Sequence, residues 1–188
     1  VPGGLQGKAI PFRYNEIEEL ESIVASRPDK LAAIVMEPIR DREPKGKFLH
    51  LVREIASRVG AVLIFDEITA GWRLNNGGVH LLYGVEPDIA AFGKGMSNGY
   101  AMSAVIGRRS VMEAAQKSFI SSTYWTERVG PTASIATIRK YRRCNVAKHL
   151  IEIGQLVQSG WEVAAKRASL KVEIGGIPRL THFSFLGE

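Results

Sequence analysis

The chain has 188 residues, 45% hydrophobic and 23% charged, with 25 Lys+Arg against 19 Asp+Glu for a net charge of +6. This is ordinary globular usage, which excludes intrinsic disorder and leaves enough chain to bury a sizeable core. No apolar run approaches the ~20 residues of a membrane span, the opening residues show no signal-peptide pattern, and the single cysteine, Cys144, excludes an internal disulfide and fits a reducing, cytoplasmic-type compartment.

The chain opens on a loop rich in Gly and Pro. A helix is expected next, with Asn15 as N-cap, Glu16, Glu18 and Glu19 in its first turn and Ile17, Leu20, Ile23 and Val24 on its apolar face; Pro28 and Asp29 end it. Leu31–Met36 is a continuous apolar run, as a strand buried on both faces requires. From Gly46 to Val59, Phe48, Val52, Ile55 and Val59 recur at helical spacing, and Gly60 stands where a terminating glycine belongs. Ala61–Phe65 is a second buried strand, so strand, helix and strand form a parallel unit. Ile89–Phe92 and Met102–Ile106 read as short strands, and Arg109–Lys117 and Pro131–Arg143 as helices. A long helix covers about Asn145 to Arg167, and Leu170–Ile174 and Thr181–Leu186 read as strands. The pattern is an α/β layer followed by the start of a second unit, divided as residues 1–143 and 144–188.

Three places concentrate chemistry. Asp66 and Glu67 follow a buried strand, where open α/β sheets place their ligand crevice; a carboxylate here either enters that crevice or caps a loop. Lys94 lies between Gly93 and Gly95, where missing Cβ atoms let a ligand approach the backbone. A lysine enclosed in apolar surroundings becomes a nucleophile for Schiff-base chemistry, whereas a solvated one is an ordinary loop residue. Ser121, Ser122 and Thr123 form a hydroxyl cluster suited either to a phosphate or to capping a turn. The glycine loop fits neither the dinucleotide fingerprint nor the P-loop. His50, His80, His149 and His182 are scattered without metal-ligand spacing. No reader-type motif or aromatic stacking platform accompanies the basic run Arg139, Lys140, Arg142, Arg143 and Lys148, which argues for a solvated helix face over nucleic acid.

The order of the motifs is more specific than any one of them. Met36-Glu37-Pro38 is followed by Leu63-Ile64-Phe65-Asp66-Glu67-Ile68 with Gly71-Trp72-Arg73. Then come Pro87-Asp88-Ile89, Phe92-Gly93-Lys94, Asn98-Gly99-Tyr100 and Ser122-Thr123-Tyr124. Together they resemble the class III aminotransferases, fold-type I enzymes dependent on pyridoxal 5′-phosphate (PLP). The stretch Ile120 to Arg128 is most similar to the branch containing glutamate-1-semialdehyde 2,1-aminomutase.

The resemblance implies an α/β fold, part of the PLP-transferase large domain with a mostly parallel sheet, plus the beginning of a C-terminal small domain. It implies amino-group transfer between small amino and oxo compounds, with PLP, or pyridoxamine 5′-phosphate in the amino form, as cofactor. Lys94 would form the Schiff base and move the proton, Asp66 would pair with the pyridine nitrogen, and Ile68 would pack on one ring face. Thr123 would reach the cofactor phosphate in a partner's site, which implies a homodimer; Glu37, Glu67 and Ser122 would support the site. No metal, nucleic acid or membrane is implied. Family members are longer than this chain, so it is expected to be partial, with further phosphate contacts and a ring-stacking aromatic ahead of Val1 and most of the small domain beyond Glu188. Ile39-Arg40-Asp41 departs from the small or amide-bearing residues common in the family. The alternative is a catalytically silent fragment that folds or dimerises and at most binds a phosphate-bearing ligand.

Overall fold

Strand β1 (Ala33–Met36), helix α2 (Phe48–Arg58) and strand β2 (Val62–Asp66) set the frame of the computed structural model, which describes residues 3–27 and 31–186. Phe48, Leu49, Val52, Ile55 and Ala56 lie along one side of α2 and are all buried, packed on Leu63 and Phe65 of β2 and Ile34 of β1. Each such side chain contributes roughly 1.5–3 kcal/mol by leaving water. Leu20 and Val24 of α1 (Ile17–Ser26) extend the same cluster. Gly60 has φ +67°, a left-handed conformation that stops α2 and turns the chain into β2.

Four strands pair in the order β1-β2-β3-β4, with β3 at Ile89–Phe92 and β4 at Ala104–Gly107. The β1–β2 and β2–β3 pairings are parallel, with Met36 opposite Phe65 and Asp66 opposite Ala91. β4 is antiparallel, since the connection 93–103 holds only a 3-10 turn, Lys94–Met96, and no crossover helix to return the chain to its starting edge. A short helix, α3 (His80–Tyr83), lies between β2 and β3. Helix α4 (Arg109–Met112) follows β4; then α5 (Val129–Cys144), α6 (Val146–Arg167) and an antiparallel pair, β5 (Val172–Gly175) with β6 (His182–Phe185), complete the described chain.

The structure corrects two local expectations. Asn15 is not the N-cap of α1: that position is Glu16, without a side-chain cap. Asn15 has φ +70° and ties two loops, donating from Nδ2 to the Glu43 carbonyl at 3.1 Å and accepting from the Lys45 N–H at 2.8 Å. Its amide is thus occupied by long-range partners and unavailable to the helix. The helix expected over Arg109–Lys117 is α-helical only to Met112 and 3-10 from Glu113 to Lys117. Pro28 and Asp29, expected to end α1, lie outside the described residues.

At the start of β3, Asp88 clamps the sheet. Its Oδ2 accepts from the Leu63 N–H at 2.8 Å and from Arg53 Nη1 at 2.7 Å, and its Oδ1 lies 3.4 Å from Arg108 Nη1. Burial alone would push this carboxyl up. Arg53, the Leu63 N–H and Arg108 outweigh it and hold the pKa below its ordinary value.

Candidate active site

The parallel strands end together, and the candidate residues follow those ends. Glu37 comes directly after β1, Asp66 is the last residue of β2, and Lys94 stands two residues beyond β3. Along β2 the side chains alternate: Leu63 and Phe65 are buried, while Val62, Ile64 and Asp66 face the other way and are half-buried. The pleat therefore separates core from site within five residues.

Asp66 is both a cap and a free carboxylate. Its Oδ1 accepts from the Ile68 N–H at 2.9 Å, holding the turn after β2; its Oδ2 has no hydrogen-bond partner among the described residues. Glu67 points into the protein, with its side chain fully buried. It accepts from the Val79 N–H and the His80 N–H, each at 3.0 Å, and pairs with His80 Nδ1 at 2.8 Å. Glu67 therefore pins the 79–80 backbone to the chain just after β2.

Lys94 has φ +40°, a strained left-handed conformation for a residue with a Cβ. Its amine donates to Thr69 Oγ1 at 3.0 Å, and the residue is exposed rather than enclosed in apolar surroundings. Ile68 lies beside it: a Cβ built on Gly93 would stand 3.5 Å from Ile68 Cγ2. Gly71 closes the same loop against β3, since a Cβ there would approach the Phe92 ring to 2.7 Å and the Glu67 carbonyl oxygen to 2.8 Å.

Glu37 and Arg40 pair at 2.7 Å, leaving Glu37 Oε2 buried without a partner. The guanidinium of Arg40 is stabilised by Glu37 first and then by Asp41 and Asp66, which raise its pKa further. Ser122 and Thr123 are not brought to Lys94. They sit in an exposed turn where Ser122 Oγ accepts from the Tyr124 N–H at 3.2 Å, the turn-capping use of such hydroxyls. Nearby, Phe119 is 94% and Trp125 68% exposed. No cluster of metal-ligating side chains is present among the described residues.

Thr69 escaped sequence reasoning, as did the convergence of Arg40, Arg73 and Arg179 on one cleft of about 700 Å³ that Thr69 also lines. The only sequence signal was the position of Thr69 in the turn after Asp66-Glu67. Nothing in the sequence links Arg179 to Arg73.

The aminotransferase class-III family model matches residues 9–177. The chain is 33% identical over 192 residues to the 3-aminobutyryl-CoA aminotransferase of Cloacimonas acidaminovorans, covering 98% of this chain and 46% of that protein. It is 34% identical over 182 residues to the glutamate-1-semialdehyde 2,1-aminomutase of Clostridium tetani, covering 93% and 43%. The fold superposes on the PLP internal aldimine form of the FumI protein of a Sphingopyxis species with TM-score 0.86 and 26% identity, covering 94% of this chain and 44% of that one. An omega-transaminase from Sphaerobacter thermophilus gives TM-score 0.77 and 28% identity, covering 93% and 42%. The chain spans a little under half the length of these relatives.

Proposed function

The chain belongs to the class III aminotransferases, and from that premise we propose that it carries the lysine half of a PLP-dependent site for transfer of an amino group between an amino and an oxo compound. The observation that carries the reading is that Asp66 and Lys94 follow the carboxyl ends of two neighbouring parallel strands, one with an unpaired carboxylate oxygen among the described residues and the other with an amine on a hydroxyl. These residues fit the cofactor: an acid for its ring nitrogen, an amine for its aldehyde carbon and the apolar Ile68, close to Gly93, for a ring face. PLP, when bound, supplies an electron-withdrawing ring that stabilises negative charge on the substrate carbon.

The protein's part is to hold and move protons. Asp66, with one oxygen fixed by the Ile68 N–H, would hold the cofactor's ring nitrogen and keep it protonated. Lys94, whose amine donates to Thr69 Oγ1, would hold the cofactor through that amine and act as the base that moves a proton between the substrate carbon and the cofactor. Glu37 and Glu67 brace the two strand ends. Transfer between two molecules and an intramolecular, aminomutase-type exchange draw on the same residues.

Thr123, supported by Ser122, serves the cofactor phosphate of a second copy in a homodimer. Its separation from Lys94 and the exposed Phe119 and Trp125 beside it support that arrangement. Residues 1–143 form part of the cofactor-binding domain and 144–188 the connecting helix and start of a small domain. This division is supported by the left-handed break at Asn145, φ +46°, and by the separate β5–β6 sheet. A cytoplasmic setting suits the exposed thiol of Cys144.

A second reading, a segment that folds and binds a phosphate-bearing ligand without turnover, is favoured by the exposure of Lys94 and of Val35 on edge strand β1. Absorbance with added PLP, borohydride reduction and peptide mass mapping test the main reading. The cofactor mass is expected on the Lys94 peptide and absent in Lys94→Ala. Retention of a single specific adduct in Lys94→Ala overturns the assignment, and an amino-transfer assay on the labelled protein separates the two readings.

A further inference from the structure

Two backbone segments meet next to Lys94. The first, residues 66–73, is tied along its length. Asp66 Oδ1 accepts from the Ile68 N–H at 2.9 Å, the Glu67 carbonyl from the Gly71 N–H at 2.8 Å, and the Thr69 carbonyl from Arg73 Nε at 3.1 Å. The second, residues 93–98, contains the 3-10 turn Lys94–Met96. There the Gly93 carbonyl accepts from the Met96 N–H at 3.0 Å and the Lys94 carbonyl from the Asn98 N–H at 3.1 Å. The two segments pack backbone to backbone, since a Cβ built on Gly95 would stand 3.1 Å from the Trp72 carbonyl oxygen.

Across this junction the Lys94 amine donates to Thr69 Oγ1 at 3.0 Å, and it has no other hydrogen-bond partner and no ion pair among the described residues. A lysine side chain is long and rotamer-rich, so an exposed amine without a partner samples many positions. Two features narrow that search here. The left-handed backbone of Lys94, φ +40°, sets where the side chain leaves the loop. Thr69 offers its hydroxyl from a fixed base, held at its own carbonyl and stiffened at χ1 by β-branching. The acceptor is also neutral. A carboxylate in the same place would favour the proton-loaded ammonium, whereas a hydroxyl takes one N–H and leaves the lone pair of a neutral amine open to react. Thr69 Oγ1 donates to no acceptor among the described residues, so its own hydrogen is free to turn with the state of the amine.

We propose that Thr69 is the positioning residue of the reactive amine. Its hydroxyl holds Lys94 Nζ beyond the carboxyl end of β3 whenever that nitrogen carries no covalent bond to the cofactor, with the amine's lone pair directed away from Thr69. The inference deepens the reading of Lys94 as the reactive amine and rests on it; the hold on the side chain is measurable without PLP.

Lysine isotope-labelled at Cε is incorporated into the full chain, the Lys94 signal is identified by its loss in Lys94→Arg, and its order parameter is measured by NMR relaxation without cofactor. Lys94 is expected to be more ordered than the exposed Lys45 and Lys117. Thr69→Val keeps the shape and loses the hydroxyl, and should bring Lys94 down to their level; Thr69→Ser should restore most of the order. Thr69→Ala carries the hydroxyl-free comparison if Thr69→Val fails to fold. In a second measurement, PLP and borohydride are added for short times and the adducts are mapped by peptide mass. The preference for Lys94 over Lys45 and Lys117 should fall about tenfold in Thr69→Val, the scale of one lost hydrogen bond and the preorganisation it gives. Equal order of Lys94 in wild type and Thr69→Val overturns the proposal. So does a Thr69→Ser protein that behaves as Thr69→Val, because packing of the methyl would then be the cause. A Lys94 adduct that forms equally well in every variant overturns the positioning role and leaves the assignment of Lys94 standing. No Lys94 adduct in the wild type, with the order contrast intact, overturns that assignment and the proposal with it.

Discussion

Replacing Asp88 tests whether the edge of the sheet opposite the site is held by one carboxylate. In Asp88→Ala the Leu63 N–H loses its acceptor, and Leu63 is fully buried, so no water can substitute. That orphaned donor costs about 1–3 kcal/mol. The Arg53 side chain, 19% exposed, loses a partner at 2.7 Å and adds about 1 kcal/mol, while Arg108, half exposed, adds little. The expected total is about 3 kcal/mol. Asp88→Asn keeps an acceptor for Leu63 and loses only the charge, for about 1 kcal/mol.

The sign of the pH dependence follows from the lowered carboxyl. Its folded pKa lies below its ordinary value of 3.8, so the stabilisation is complete above that value and is lost as pH falls through the folded pKa. The gap between wild type and Asp88→Asn should therefore narrow in acid. Urea titrations followed by tryptophan fluorescence, repeated from neutral pH downward, measure both quantities. An Asp88→Ala protein within about 0.5 kcal/mol of wild type, the ordinary range for surface substitutions, or a constant gap to Asp88→Asn in acid, would refute the clamp.

Glu67→Gln should lower the unfolding free energy by about 2–3 kcal/mol, read as a lower urea midpoint at unchanged slope, because an amide cannot accept from Val79, His80 and the His80 ring together. Gly71→Ala should cost about 1–3 kcal/mol in the same assay, since the new methyl meets the Phe92 ring and the Glu67 carbonyl. Tyr14→Phe removes the hydroxyl that donates to the Pro38 carbonyl at 2.7 Å and should cost about 1 kcal/mol at neutral pH. Burial raises the Tyr14 pKa, so its contribution is complete below about 10, the unfolded value, and declines as pH rises toward the folded one. Alkaline unfolding of the wild type should carry a pH dependence that Tyr14→Phe lacks.

The strands β1 and β2 and helix α2 were legible because their signal is local: apolar runs for the strands, and 4-3-4 spacing ended by Gly60 for α2; but β1, expected to be buried on both faces, is an edge strand with Val35 60% exposed. The placing of Asp66 and Lys94 at or just beyond strand ends was legible too. Asn15 misled because a capping residue type beside a helical pattern does not reveal competing partners such as Glu43 and Lys45. The glycines around Lys94 left both an enclosed and a solvated lysine open, and it is exposed; local sequence carries the loop's conformation and not what covers it. Thr69 as the partner of Lys94, and Arg179 as a neighbour of Arg73, arise from tertiary packing between distant segments. No periodicity encodes that.

The alternation along β2 ties chemistry to assembly. Leu63 and Phe65 must face inward for the strand to pack, and with them inward Asp66 faces the crevice. A one-residue slip in pairing would drive Asp66 into the hydrophobic interior and expose both apolar side chains at once. A mispaired chain would therefore misplace its candidate acid as well as lose stability. The position of that carboxylate reports whether the strand beneath it is correctly threaded.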